Sequence, residues 1–140
     1  MADSQDESSG LNREGKGGES GYQILIVDDD NSILELNRKI LARHGHSVVE
    51  AHDGAEALEV FCRHIDELNL IITDFQMPRM NGVEFFRRVR KMLPQLPFIM
   101  LTGAYSQLKD ELEFDRNTLV VKKPCKAATL LAHIDQLMAI

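Results

Sequence analysis

The chain has 140 residues, 44% of them hydrophobic, which is enough for one domain with a substantial core. Its formal net charge of -6 and pI near 5.3 argue against a general electrostatic grip on nucleic acid or anionic lipid, because both favour clustered Lys and Arg. No apolar run approaches the roughly 20 residues that cross a bilayer. Cys62 and Cys125 stand in a chain with no apolar signal segment, so we expect a cytoplasmic protein with unpaired thiols.

The first 21 residues (1–21) are expected to form a disordered tail, because they are rich in Ser, Gly, Asp and Glu and cannot bury enough apolar surface to offset the entropy cost of ordering. Residues 22–140 then form the folded domain. A Gly-rich stretch at residues 10–17 nearly matches a phosphate-binding loop, but Gly17 stands where that motif needs a Ser or Thr, and no strand precedes it. We therefore do not assign nucleotide binding to the tail.

Short apolar runs alternate with amphipathic stretches from residue 22 onward. The runs are mostly continuous, which predicts strands that are covered on both faces, and the stretches between them have the spacing of helices. In chain order we predict strand 23–27, helix 31–44, strand 47–51, helix 54–65, strand 70–73, helix 82–92, strand 98–101, helix 106–113, strand 118–121 and helix 127–140.

The predicted helices have apolar sides that can cover a sheet. In helix 31–44 we expect Ile33, Leu36, Ile40 and Leu41 on the buried side, with Gly45 as the stop. Five strand-helix repeats predict an α/β fold with a parallel sheet between two layers of helices, because each right-handed crossover returns the chain to the same sheet. The strongest apolar side is that of helix 127–140, and it comprises Leu130, Leu131, Ile134, Leu137 and Met138.

Charged and hydroxyl side chains follow four of the predicted strands, at the edge where parallel sheets bind ligands. They are Asp28, Asp29 and Asp30 after the first strand, Asp74 after the third, Thr102 after the fourth, and Lys122 and Lys123 after the fifth. Mg²⁺ prefers carboxylate oxygens, a lysine can pair with a phosphate oxygen, and a carboxylate can attack phosphorus. Asp30 is also a favoured N-cap, and Lys122, one residue out of phase with Lys123, should point elsewhere. The pattern therefore predicts a site for metal-assisted phosphoryl transfer.

These segments resemble the receiver domain of the two-component response regulators. The resemblance covers about residues 22–140, and its matching segments are residues 24–30, 51–58, 74–82, 101–103 and 123–124. It implies the flavodoxin-like, doubly wound fold of that family, with five parallel strands in the order 2-1-3-4-5 and five flanking helices.

The resemblance also implies a role for each residue of the site. Asp74 resembles the phospho-acceptor, Thr102 the hydroxyl that reorients to meet the phosphoryl group, and Lys123 the lysine that pairs with it. Gln76 and Ala104 match the positions that flank the path of the hydrolytic water, and the peptide bond after Lys123 is expected to be cis. The implied cofactor is Mg²⁺, held by Asp28, Asp29, Asp74 and the main-chain carbonyl of Gln76.

From the resemblance we expect a protein that accepts a phosphoryl group from a sensor histidine kinase or a histidine phosphotransfer protein and then contacts a downstream protein target. It would catalyse its own phosphorylation and dephosphorylation without turning over a separate substrate. We expect no direct contact with nucleic acid or membrane, and a phosphorylation-dependent homodimer stays open.

Three positions depart from the family pattern. Val120 occupies the fifth-strand position that usually carries an aromatic switch residue, residues 113–117 lack the usual Gly-Ala pair, and Cys125 replaces the common aromatic after the lysine-proline pair. These departures leave open a second hypothesis, a receiver-like module that binds a protein without phosphorylation. A third hypothesis, a hydrolase that uses Asp74 as nucleophile, lacks an evident second carboxylate to act as general acid.

Other conspicuous residues have ordinary explanations. Asp53 is expected to be a turn residue before Gly54, with contact to the site as the alternative. His44 and His46 lack the further ligands of a metal site, so we expect them at the surface. A basic run in helix 82–92 is expected to be a solvated face, with kinase docking or nucleic-acid binding as the alternative. Its residues are Arg87, Arg88, Arg90 and Lys91.

Overall fold

Residues 21–103, 108, 112 and 115–139 are described by the computed structural model. The strands are β1 (Gln23–Val27), β2 (Ser47–Ala51), β3 (Leu70–Asp74), β4 (Phe98–Thr102) and β5 (Thr118–Lys122). The helices are α1 (Asn31–Arg43), α2 (Gly54–Arg63), α3 (Gly82–Met92) and α4 (Ala127–Met138). The strands pair in parallel in the order β2-β1-β3-β4-β5, which confirms the predicted topology.

The sheet separates two hydrophobic layers, because successive side chains of a strand point to opposite faces. In β1, Leu25 and Val27 pack with α2 and α3, whereas Ile24 and Ile26 pack with α1 and α4. β3 and β4 are buried at every position because they lie inside the sheet, whereas β2 is only partly buried because it forms one edge. The architecture is therefore the doubly wound α/β arrangement that the sequence predicts.

Several predicted boundaries are wrong by one or two residues. β3, β4 and β5 each continue one residue further, so Asp74, Thr102 and Lys122 are the last residues of strands. In α2 the amide of His64 bonds to the carbonyls three and four residues back, and this tightened turn ends the helix. Three helices end earlier than predicted: α1 at Arg43, α2 at Arg63 and α4 at Met138.

The predicted helix 106–113 falls mostly outside the described residues. Leu108 and Leu112 are its described positions, and both are helical and buried. The described residues therefore contain four complete helices against the five predicted. The predicted tail lies outside them except for Gly21. Among the helices that the structure describes, none has the length and apolar character that crossing a membrane requires.

The predicted buried side of α1 is wrong at one position. Leu36 is 57% exposed, whereas Leu34 is 1% exposed and shares a core layer with Leu41. Leu34 and Leu41 are two helical turns apart and face the same way, but Leu36 is rotated by about 200° from Leu34. The side of α1 that faces the sheet is therefore centred on Leu34.

The histidine and cysteine predictions are confirmed only in part. His44 is exposed, but His46 is half-buried, with its ring stacked on Tyr22 at 5.4 Å between centroids. The Nδ1 atom of His46 accepts a hydrogen bond from the amide of Tyr22 at 3.0 Å, and burial lowers the pKa of His46, which favours the neutral ring that can accept. Cys62 and Cys125 are free thiols, as predicted.

Arg90 is not part of a solvated face, contrary to the prediction. Its side chain is only 12% exposed, and its Nε donates to Oδ2 of Asp115 at 2.6 Å. Further hydrogen bonds reach the carbonyl oxygen of Leu96 at 2.6 Å and the hydroxyl of Thr118 at 3.0 Å, and the guanidinium lies 5.0 Å from the ring centroid of Phe86. Arg90 therefore links the end of α3 to the start of β5, while its basic neighbours in α3, Arg87, Arg88 and Lys91, are exposed.

Asp115→Asn should lower the free energy of unfolding by about 2 kcal/mol at neutral pH, because the hydrogen bonds from Arg90 lose their charged acceptor. The Asn side chain can still accept from the amide of Asn117, which Asp115 binds at 2.9 Å. Burial raises the pKa of Asp115, but the hydrogen bonds from Arg90 and from the amide of Asn117, together with the charge of Arg90, outweigh it and hold this pKa below the ordinary value of 3.8.

The stability contributed by the ionised Asp115 is therefore present above pH 3.8 and is lost as the pH falls through the lowered pKa. Urea unfolding of both proteins at a series of pH values measures the difference. We expect it to be constant near neutrality and to shrink in acid. A difference that grows as the pH falls would contradict this role of Asp115.

Candidate functional site

Three acidic residues meet at the carboxyl edge of the sheet. Asp28 and Asp29 directly follow β1, and Asp74 ends β3, which is the neighbour of β1 in the sheet. Their carboxylate oxygens lie within 4.8 Å of one another. Asp28 and Asp74 are 3% and 6% exposed, whereas Asp29 is exposed to solvent. Negative charge is thus concentrated in a largely buried cluster that is open to solvent on the side of Asp29.

The surroundings of this cluster destabilise the ionised form of Asp28. Burial raises the pKa of Asp28, and the nearby carboxylates of Asp74 and Asp29 raise it further. A hydrogen bond from the amide of Asp30 to Oδ1 of Asp28, at 2.9 Å, and the charge of Lys123 act in the opposite direction, but the net shift is upward. Carboxylates held this way are stabilised by a proton or by a cation.

Lys123 supplies the positive charge on the other side of the cluster. Its Nζ donates to Oδ2 of Asp74 at 3.0 Å, and its amide donates to the carbonyl of Thr102 at 2.9 Å. The peptide bond to Pro124 is cis, as expected. Lys122 is exposed, which agrees with the prediction that it points elsewhere. Thr102 is 1% exposed and ends β4, which lies between β3 and β5, so Thr102 lies between Asp74 and Lys123 along the sheet edge.

The loop after Asp74 closes tightly over the end of β3. The amide of Phe75 donates to the carbonyl of Leu101 at 2.9 Å, and the amide of Gly82 donates to the carbonyl of Phe75 at 2.8 Å. A Cβ atom on Gly82 would lie 2.5 Å from the carbonyl oxygen of Asp74, so only glycine permits this approach. Gln76 is exposed in this loop, two residues after Asp74.

Three of the helices that start at this edge are capped by polar side chains, whereas α4 starts after Lys126 with no side-chain hydrogen bond to its first amides. Asp30 caps α1 by accepting from the amides of Ser32 and Ile33, as predicted. Asp53 caps α2, and Asn81 caps α3. These caps satisfy helix amides that would otherwise be open, and they fix where each helix leaves the site.

A model of the response regulator receiver domain matches residues 24–135, which is most of the chain and includes every residue proposed for the site. This chain belongs to the response regulator receiver domain family. The receiver domain thus accounts for the order of strands in the sheet.

Curated relatives and solved structures agree with this membership. The response regulator MprA of Mycobacterium leprae is 36% identical over 117 residues, which cover 83% of this chain and 50% of that protein. The MprA of Mycobacterium avium is 40% identical over 81 residues, 58% of this chain and 35% of that protein. The chain therefore spans half or less of the length of these relatives. The chemotaxis response regulator CheY4 of Vibrio cholerae has a TM-score of 0.74 at 32% identity, over 83% of this chain and 98% of that one.

The structure brings together most of the residues singled out in the sequence. Asp28, Asp29, Asp74 and Lys123 are clustered, and Thr102 ends the strand beside them. Gln76 lies in the adjoining loop. One feature near the site has no counterpart in the sequence predictions. Arg79 pairs with Asp53, its Nη2 lying 2.7 Å from Oδ2. No local pattern signals this contact, because the two residues are 26 positions apart.

Proposed function

We propose that this receiver domain accepts a phosphoryl group on Asp74 in a Mg²⁺-dependent reaction. The donor would be a phosphohistidine on a sensor histidine kinase or a histidine phosphotransfer protein. The observation that carries the proposal is the set of three clustered carboxylates with Lys123 hydrogen-bonded to Asp74. Family membership supports the proposal, because the match to the response regulator receiver domain covers residues 24–135 and therefore all the residues of the site.

The acidic cluster fits a hard divalent cation. Its oxygen donors converge within 4.8 Å, and burial together with the neighbouring carboxylates raises the pKa of Asp28, so a bound cation would stabilise its ionised form. Mg²⁺ prefers oxygen ligands such as carboxylates, keeps waters in its coordination shell and takes a phosphate oxygen, which suits an acidic cluster with a solvent-exposed side. The ligands we propose are Asp28, Asp29, Asp74 and the main-chain carbonyl of Gln76. Bound Mg²⁺ would neutralise the clustered charge and polarise an incoming phosphoryl group.

The residues of the site divide the chemistry between them. A carboxylate oxygen of Asp74 attacks phosphorus, a P–O bond forms, and the P–N bond to the donor histidine breaks with its electron pair left on the imidazole. Lys123 is held against Asp74 and can pair with an oxygen of the transferred group. The hydroxyl of Thr102 can donate to another of these oxygens. The site therefore offers a nucleophile and two groups that stabilise the product.

The phosphoryl group would change the protein's contacts by adding charge and acceptor oxygens at Asp74. We propose that a downstream protein target binds the phosphorylated form. We also propose that residues 22–140 form the receiver domain and that the reaction takes place in the cytoplasm. Position 120 in β5 is occupied by Val120, which has no aromatic ring, so the proposed switch does not use a ring that rotates at this position. A phosphorylation-independent binding module is not proposed, because it would leave the buried acids and Lys123 without a role.

Acetyl phosphate with MgCl₂ tests the proposal, read out by intact-protein mass spectrometry. We expect the mass of one phosphoryl group to be added in Mg²⁺ and none in EDTA, because the charge of the cluster must be neutralised before a phosphoryl group can approach. Equal incorporation in Mg²⁺ and EDTA would contradict the metal requirement, and no incorporation in either would contradict the proposed function.

A further inference from the structure

Arg79 has a backbone conformation that needs a local explanation. Its φ is +70°, in the left-handed region that non-glycine residues rarely adopt. The amide of Met80 donates to the carbonyl of Pro78 at 2.8 Å, so residues 78–80 form a γ-turn of the rare positive-φ kind. A conformation of this type persists only where its surroundings hold it in place.

An ion pair to the start of α2 provides that restraint. Arg79 donates to Oδ2 of Asp53 from Nε at 3.1 Å and from Nη2 at 2.7 Å. The other oxygen of Asp53, Oδ1, accepts from the amide of Glu56 at 2.8 Å. The helix cap and the ion pair therefore use different oxygens of one carboxylate. Burial raises the pKa of Asp53, but these hydrogen bonds outweigh it and lower the pKa, so the carboxylate is ionised at neutral pH.

The two loops are also in direct backbone contact. A Cβ atom on Gly54 would lie 2.2 Å from the carbonyl oxygen of Met80, so the start of α2 rests against the γ-turn. The loop of residues 75–81 is thus held by α2 at the γ-turn and by the Gly82 hydrogen bond at its ends. Gln76 lies between these two points and is exposed.

We propose that Arg79 and Asp53 form a positioning pair for the phosphoryl-transfer site. The inference rests on the proposed function, in which the carbonyl of Gln76, three residues before Arg79, is a Mg²⁺ ligand. The pair holds the γ-turn against α2 and thereby sets where Gln76 lies relative to the acidic cluster. It acts on Mg²⁺ affinity through the loop, because its own charges are already paired with each other.

Four single substitutions separate the ion pair from the turn and from general effects of charge. Arg79→Asn removes the guanidinium but introduces a residue that tolerates positive φ. Asp53→Asn removes the charge and retains an oxygen that can cap α2, and Arg79→Lys keeps a positive charge. The matched control is Arg88→Asn, which breaks an exposed ion pair with Glu84, 3.1 Å long, within α3.

Two measurements are made on each variant of the full chain. The Mg²⁺ dissociation constant comes from amide chemical shifts during titration with MgCl₂, and the rate of phosphoryl incorporation from acetyl phosphate is measured at low and at saturating MgCl₂. We expect Arg79→Asn and Asp53→Asn each to weaken Mg²⁺ binding by about tenfold, the scale found for groups that orient metal ligands. Saturating MgCl₂ should restore most of the rate, because Asp74 and Lys123 are unchanged.

The combined variant tests whether the two residues act as one unit. Arg79→Asn with Asp53→Asn should bind Mg²⁺ no more weakly than either single variant, since each alone already breaks the pair. Arg79→Lys should recover part of the affinity, and Arg88→Asn should bind like the wild type.

Wild-type affinity in both single variants would overturn the positioning pair, and so would losses that add in the combined variant or an equal loss in Arg88→Asn. These results are distinguishable from a failure of the proposed function. If the wild type neither binds Mg²⁺ nor takes up a phosphoryl group, both proposals are overturned. If the wild type does both and the variants match it, only the positioning pair is overturned.

Discussion

Asp74→Asn is expected to abolish phosphoryl incorporation from acetyl phosphate in Mg²⁺. The amide oxygen of Asn has neither the negative charge nor the nucleophilic strength of the carboxylate, and loss of a nucleophile costs roughly 10³-fold in rate or more. The fold should persist, since Asn has nearly the same shape and its oxygen can still accept from Lys123, which donates to Asp74 at 3.0 Å. Intact-protein mass spectrometry measures the added mass.

A matched control separates the site from acidity in general. Asp66→Asn makes the same chemical change at an exposed residue that lies outside the acidic cluster. It should be phosphorylated at the wild-type rate. Incorporation in Asp74→Asn to the wild-type extent would show that another residue is the acceptor, and the assignment of Asp74 would then be wrong.

The site could be predicted from sequence because its residues follow strands directly. Once the parallel topology is inferred, the carboxyl ends of all strands lie at one edge, and the strand order implied by the family resemblance makes β1 and β3 neighbours there. Asp28 and Asp74 then come together without any information about side-chain packing. The same argument places Lys123 at the end of β5. The periodicity of the apolar residues therefore predicts the fold, and the strand order predicts where the site lies.

Predictions failed where a choice depended on packing between distant elements. Helix α1 has two overlapping apolar stripes, one containing Leu36 and the other Leu34, and the sequence of the helix does not say which meets the sheet. In the folded protein, Leu34 packs in the core layer between the sheet and helices α1 and α4, so the stripe that contains Leu34 is the buried one. A helical wheel drawn for one helix lacks this information, because it depends on how the helix is rotated against its neighbours.

Ion pairs between residues that are far apart in the sequence could not be predicted either. Arg90 looks like its basic neighbours Arg87 and Arg88, but its partner Asp115 follows 25 positions later and lies beside it only after folding. A charged residue can be buried where its partner and hydrogen bonds compensate for lost solvation. The composition of α3 therefore predicts that its arginines are exposed, which holds for Arg87 and Arg88 but not for Arg90.

Asp28→Asn is expected to have opposite effects on stability with and without Mg²⁺. Asp28 is 3% exposed and lies among carboxylates that raise its pKa, so its negative charge opposes folding when no cation is present. Asn can still accept from the amide of Asp30 through its oxygen, and it carries no charge. In EDTA the variant should therefore unfold with a free energy about 1 kcal/mol higher than the wild type, the usual scale for relieving one unfavourable charge.

Added Mg²⁺ should reverse this order. A ligand that binds the folded state at 100 times its dissociation constant stabilises it by about 2.7 kcal/mol, and a cluster without the Asp28 charge forfeits most of that gain. Urea unfolding followed by circular dichroism, in EDTA and in MgCl₂, measures both differences, with Asp66→Asn as the control that should track the wild type. A variant less stable than the wild type in EDTA would mean that Asp28 is held by favourable contacts of its own. The raised pKa would then not reflect a cluster that requires a cation, and the argument for Mg²⁺ from the charge of this site would fail.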